Sequence, residues 1–312
     1  MMNDIVLLTF VTTWLATSVR LAGPLLLASI GEIYSERSGV LNVGIEGLIL
    51  IGAFAAYMAS VATGNPFVGF AAALAATMVA SLFLAYFYVV IQANQVVVGI
   101  TFNLLALGLV STCYRLMMGD RPSFESAPMI GNISIPGLSS IPVVGSILFN
   151  QSPMLYVAVL LAILGGYVLY RTRFGLNLRA VGENPQAASA SGIDAGRMRV
   201  IGVVLSGLGA GLAGAYLVLC QIGLFRDTIV SGRGFIALAI VILGRWNPYA
   251  AIAASLAFGA ADALGLSMQL LNLPIPPQLF VALPYLMTIV AISGLFGKTR
   301  SPAALMQPFR TE

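Results

Sequence analysis

Eight or nine apolar segments, most of them about 20 residues long, follow one another along this chain with almost no charge inside them. A helix rising 1.5 Å per residue needs about 20 apolar residues to cross a hydrocarbon core of about 30 Å, so the pattern predicts membrane-crossing helices. The segments fall at about 8–31, 44–63, 66–91, 97–118, 153–170, 199–221, 234–244 with its lead-in, 249–270 and 279–296. Of the 312 residues 59% are hydrophobic and 8% charged, whereas a soluble domain carries about 25% charged residues. Glycine and proline are spread through the apolar runs, as in membrane helices, where Gly permits close packing and neighbouring helices tolerate Pro. The expected fold is all-α and polytopic, one transmembrane domain over 1–312 with about 8–10 transmembrane or re-entrant helices. The seventh segment is too short to cross alone. Its flanks, Gly223 to Gly234 and Gly244-Arg245-Trp246-Asn247-Pro248, predict a broken or re-entrant helix buried against its neighbours.

The net charge of +4 does not signal nucleic acid, because the basic residues form no stripe. They cluster between apolar segments and report topology instead. Arg171, Arg173, Arg179, Arg197 and Arg199 follow the fifth segment, and Lys298, Arg300 and Arg310 end the chain; alternate loops hold Arg115, Arg121, Arg226 and Arg233. The positive-inside bias assigns the first group to the cytoplasm. Residues 171–198 are then a cytoplasmic loop, 119–152 an external loop or cap, Glu32 to Asn42 cytoplasmic and the N-terminus external. That terminus lacks the basic region of a cleavable signal, so the first segment is expected to persist. With no His, and with Cys113 and Cys220 far apart, zinc sites and Cys/His nucleophiles lack their parts. Both cysteines are expected to pack as small apolar residues, and neither a metal nor a catalytic residue is predicted.

Four local patterns carry chemistry. Between two apolar helices lies GEIYSERSGVLNVGIEG, Gly31 to Gly47. Such a concentration of acids, Arg and Asn needs a backbone that turns within protein or lines water, and the plain alternative is a loop with a helix cap. Glu46 opens the second helix at the positive end of its dipole. In the basic loop, Asn184 reads as an N-cap, Pro185 as the first helical residue and Gly192 as a left-handed stop, predicting a short freestanding helix with Ala and Ser faces open to a partner. Arg179, Arg197 and Arg199 beside it suit an acidic rim or membrane lipid phosphates. Asn65-Pro66 and Asn247-Pro248 each precede an Ala-rich helix on opposite membrane faces, either an inverted repeat or two ordinary Asn-Pro turns. A nucleotide pocket is missing: Gly297-Lys298-Thr299 comes nearest, but the first glycine of the phosphate loop would fall at Ile292. Energy must come from elsewhere. For an ion-gradient carrier the candidates are Asp262 within the eighth segment and Arg20 within the first, with Glu46 near an end of the second, and pairing of Asp262 with an arginine competes with that role.

ERSGVLNVGIEG followed by LILIGAFAAY resembles the signature of the simple-sugar and nucleoside branch of ABC importer permeases, a family that includes ribose and branched-chain amino acid permeases. Asn94 to Ile100 with Asn103, and Gly232 to Ile240 running on to Gly244-Arg245-Trp246-Asn247-Pro248, agree with it in order. The resemblance implies an ABC importer permease fold in a bacterial inner or plasma membrane, with no cofactor of its own and ATP consumed by a separate cytoplasmic ATPase. It further implies a second permease chain, like or identical, an external solute-binding lipoprotein, and a nucleoside or simple-sugar cargo. Gly182, Glu183, Asn184, Pro185, Ala187, Ala188, Ser189, Ala190, Gly192 and Ile193 correspond to the coupling helix that seats in the ATPase. Bulky charged side chains at Ala188 or Ala190 are therefore expected to abolish ATPase association without preventing insertion. Asn42, Glu46, Gln95, Asn103 and Arg233 are the polar residues expected near the path. Gly207, Gly209, Gly211 and Gly214 allow tight contact either within the subunit or between permeases.

Overall fold

A computed structural model describes residues 2–119, 126–270, 279–280, 282–293 and 300–309. Gly297, Lys298, Thr299, Arg121, Arg310 and the end of the ninth segment lie outside the described residues. The helices are α1 (Met2–Arg37), α2 (Ile45–Thr63), α3 (Pro66–Ala85), α4 (Gln95–Met118), α5 (Val144–Leu148), α6 (Pro153–Arg171), α7 (Arg173–Glu183), α8 (Pro185–Ala190), α9 (Ala195–Tyr216), α10 (Arg233–Leu243), α11 (Pro248–Leu270) and α12 (Leu283–Ile292). Wider π-helical turns extend α3 through Tyr86–Val90 and α9 through Leu217–Ile222. Among the described residues seven helices are long and apolar enough to cross a membrane. Their boundaries match the predicted segments within a few residues, except at the first.

That helix runs on to Arg37 and takes Glu32, Tyr34 and Glu36 into its last turns, where a loop was expected. The reason is tertiary. Both carboxylates find partners inside the bundle, so they can be buried on a helix that sequence alone would end near Gly31.

Helix α9 is the most buried of the seven and packs against α1, α2 and α3. Its glycines make this possible. A Cβ on Gly209 would lie 2.7 Å from the Leu27 carbonyl oxygen, and one on Gly31 would lie 2.7 Å from that of Leu205. Gly52 of α2 would meet the Gly211 Cα at 2.8 Å, while Gly207 abuts Ser81 and Gly214 abuts Ile49. The glycine run therefore serves packing within the subunit. Outward faces of α3, α4 and α6 expose Phe67, Leu104, Leu116 and Leu160, apolar surface suited to lipid or to a neighbouring permease.

Arg37, Arg171, Arg173, Arg179, Arg197 and Arg245 gather at one end of the bundle, here called the basic face, together with residues 300–309. At the opposite end the described part of the 119–152 segment forms a cap. Strands β1 (Ile133–Ser134) and β2 (Asn150–Gln151) pair there, Ala127 and Ile130 donate to carbonyls of Gly223 and Leu219 at the end of α9, and Gln151 donates to Ala16 of α1. Asn65 and Asn247 accept hydrogen bonds from Phe67 and Tyr249, so both Asn-Pro pairs start helices, at opposite ends of the bundle.

Helix α10, with 11 residues, covers about 16 Å, half the hydrocarbon thickness. It begins beside Glu46 and ends at the basic face, where Arg37 donates to the carbonyls of Arg245 and Trp246. Residues 223–232 complete the crossing in non-helical form, which is the broken helix its flanking glycines predicted. Such backbone is tolerated at membrane depth only where protein or water satisfies its polar groups.

Candidate translocation and coupling site

The turn between α1 and α2 folds back into the bundle. Gly39 takes φ 93°, a left-handed conformation that a Cβ disfavours, and Ser38 and Ser35 donate to the carbonyls of Ser35 and Val40. Glu32 then clamps the returning strand. Its Oε1 accepts from the Asn42 amide at 2.9 Å and its Oε2 from Ser206 Oγ at 2.6 Å, while Ser206 accepts from Asn42 Nδ2 at 2.9 Å. All three are fully buried, so each donor matters. Helix α4 stitches the other side: Gln95 Oε1 accepts from the Leu41 amide at 2.8 Å, and Asn103 accepts from the Gly47 amide at 2.8 Å while donating to the Val43 carbonyl at 2.9 Å.

Glu46 does not cap its own helix. It reaches across to α10, accepting from the amides of Gly232 and Gly234 at 2.7 Å each. Gly232 sits at φ 79° and has no side chain to cap α10 itself, so the carboxylate satisfies amides that the broken helix leaves open, where the dipole favours a negative charge. Arg233, next in sequence, pairs with Asp262 at 3.5 Å. The arginine pairing foreseen for Asp262 is thus its arrangement.

A cavity of about 380 Å³ opens beside this junction, lined by Glu46, Leu50, Asn103, Leu107, Asp227 and Ser231 among others. Two of the five polar residues expected near the path, Glu46 and Asn103, line it. Asn42 lies buried in the Glu32 clamp, Gln95 fixes Leu41, and Arg233 faces Asp262. Asp227 and Ser231 were not anticipated, because they lie on an irregular segment without periodicity to orient them.

On the basic face, α8 has the predicted local chemistry. Asn184 Oδ1 accepts from the Ala187 amide at 3.0 Å, Pro185 follows, and Gly192 at φ 82° ends the turn. It is not freestanding, however: Ala188 is buried against Val181 and Ala195. Gly182 and Pro185 are buried too, and a Cβ on Gly182 would collide with the Arg37 carbonyl. The outward surface consists of Glu183, Asn184, Gln186, Ala187, Ala190, Ser191 and Gly192, with Ser189 and Ile193 half-buried. A charge at Ala188 would accordingly unseat α8 from its own subunit, a correction to the expectation that it would block only a partner. Arg199 departs from expectation as well; it is 3% exposed and bonds the Gln307 carbonyl at 2.9 Å instead of facing an acidic rim. Arg179 stacks over Tyr170 at 5.2 Å.

A glycine-packed bundle with a broken helix, a partly polar cavity where that helix begins and a small helix seated on its basic face defines a membrane transport permease. The chain belongs to the family described as branched-chain amino acid transport system / permease component, whose model matches residues 14–292, and it is a multi-pass protein of the plasma membrane. It is 38% identical to the guanosine ABC transporter permease NupQ of Bacillus subtilis, over 92% of this chain and 93% of that one. The nucleoside ABC transporter permease NupC of Lactococcus lactis is 37% identical over 90% of this chain and 91% of its own. A solved structure assigned to the metal-chelate type of ABC transporter, in an inward-facing conformation, superposes with a TM-score of 0.50 at 17% identity, covering 91% of this chain and 85% of that one, and bears on the fold alone. The family expected from ERSGVLNVGIEG and its companion stretches is the family found.

Proposed function

We propose that this chain is the permease subunit of an ATP-driven importer whose cargo is a nucleoside, with simple sugars the next class. The cargo rests on similarity to permeases named for guanosine and nucleosides over nine-tenths of the chain. The coupling rests on α8, a helix with an open face of Gln186, Ala187 and Ala190 on the arginine-rich end that positive-inside bias assigns to the cytoplasm. A separate ATPase would seat on that face, a second permease would complete the path, and an external solute-binding lipoprotein would deliver the solute. Closure of the ATPase pair would move α8 and, through α7, the base of α1 and α2.

The test is uptake of radiolabelled guanosine by vesicles holding the permease pair, the ATPase and the binding protein. Uptake is expected only with ATP inside. An Ala190→Arg substitution places a charge on the open face and should reduce uptake and ATPase co-purification at least about tenfold, a coupling loss of ordinary size, while the amount of inserted permease stays unchanged. Uptake with the ATPase left out would overturn the reading.

A further inference from the structure

The segment 300–309 lies across the basic face and touches the end of α7, the Gly39 turn, α9 and Gln92 ahead of α4. The Ala303 amide lies 3.4 Å from Glu183 Oε2, and the Ala304 amide donates to the Gly182 carbonyl at 2.9 Å, both at the end of α7. Two residues on, the Met306 amide donates to the Gly39 carbonyl at 3.1 Å, in the turn that Glu32 clamps. The Gln307 carbonyl accepts from buried Arg199 on α9. Phe309 closes the run: its ring lies 5.9 Å from the Arg199 guanidinium, its side chain packs on the cluster of Val181, Ala188 and Ala195 that seats α8, and its carbonyl accepts from Gln92 Nε2 at 2.5 Å.

Two features make this more than a terminus at rest on a surface. Arg199 is a buried cation whose Nε and Nη2 have no partner among the described residues, so the Gln307 carbonyl is the acceptor the chain gives it. A buried charge needs such an acceptor. The second is backbone conformation. Of the six non-glycine residues with positive φ among those described, four lie on this face: Gln92, Arg245, Trp246 and Met306. Gln92 and Met306 are held by the tail contacts themselves, and Arg245 and Trp246 by Arg37. Unfavourable backbone persists only where its surroundings enforce it, and it gathers in segments that switch.

We propose that residues 303–309 form a latch that carries displacement of α8 to the cavity. The latch ties the end of α7 to the Gly39 turn and to Gln92, at the foot of α4. From there Gln95 and Asn103 hold Leu41 and Gly47, and Gly47 adjoins Glu46 at the cavity. The inference rests on the importer reading, but its failure can be told apart from failure of that reading.

The experiment uses the complete importer in liposomes, with the permease carrying Gln92→Ala, which cuts the tie to the foot of α4 and leaves Phe309 on the α8 cluster and the Gly182 and Gly39 bonds in place. This variant should retain the ATPase and hydrolyse ATP at near the parental rate while uptake falls about tenfold, so more ATP is spent per solute. Uptake and hydrolysis remaining in proportion would overturn the latch. A second readout needs no transport. Truncation after Pro302 should speed amide hydrogen exchange in residues 39–47 and 181–190 of the isolated permease, and unchanged exchange there would overturn the latch independently. Absence of uptake by the parental complex would count against the importer reading alone.

Discussion

Glu46→Ala is expected to leave little correctly folded permease. The carboxylate satisfies the amides of Gly232 and Gly234 at 2.7 Å each, at the start of a helix that has no side chain of its own to cap it. Hydrogen bonds to a charged group contribute about 1.5–3 kcal/mol each, so the pair amounts to about 3–6 kcal/mol, a large part of the stability of a typical domain. Glu46→Gln retains one acceptor and turns an NH2 group toward an amide donor, so it should recover only part of the loss. Thermal unfolding of the detergent-solubilised protein, followed by size-exclusion profile, measures the order expected: parent, then Gln, then Ala. An Ala variant as stable as the parent would show that α10 starts without its cross-helix cap.

Gly214→Ala should be the second severe change, although alanine is the better helix former by about 1 kcal/mol. A methyl there runs into the Ile49 carbonyl and lies 2.5 Å from the Ala53 nitrogen. Backbone on both sides leaves nothing to rotate away, so α9 must separate from α2; overpacking of this kind costs about 1–3 kcal/mol. Gly165→Ala is the matched control. Its nearest neighbour would be Tyr34 Oη at 3.4 Å, an ordinary contact, so propensity should win and stability should hold or rise. The same unfolding measurement gives opposite signs for the two variants if packing governs this bundle, and equal signs if helix propensity does.

Hydropathy made the spans legible because length and apolarity are properties of each segment alone. Local capping chemistry was equally plain, and Asn184, Pro185 and Gly192 took the positions their side chains favour. Long-range partnership was not legible. Helix α1 outruns its apolar stretch because Ser206 and Trp246, more than 160 residues away, bond Glu32 and Glu36. Glu46 carries every mark of a residue at the start of its own helix, yet it serves another one. The six residues of α8 are too few for periodicity to mark an inner face, so Ala188 and Ala190 look alike in sequence although one is buried and the other exposed. Polar residues in a membrane protein advertise that they have a partner; only the fold says which, and here Gln95 and Asn103 direct their polar atoms to backbone while Asn42 bonds both the Gly44 amide and the Ser206 hydroxyl.

The account centres on α8 as the cytoplasmic seat of a separate motor. Ala187 lies on its open face, and the chain's own cysteines are Cys113 and Cys220, so a Cys-free background with Ala187→Cys provides one reporter. A membrane-impermeant maleimide should modify it in inside-out vesicles, should fail to do so in right-side-out vesicles, and should be excluded once the ATPase is bound. Modification from the outer side, or undiminished modification with the ATPase bound, would contradict the account.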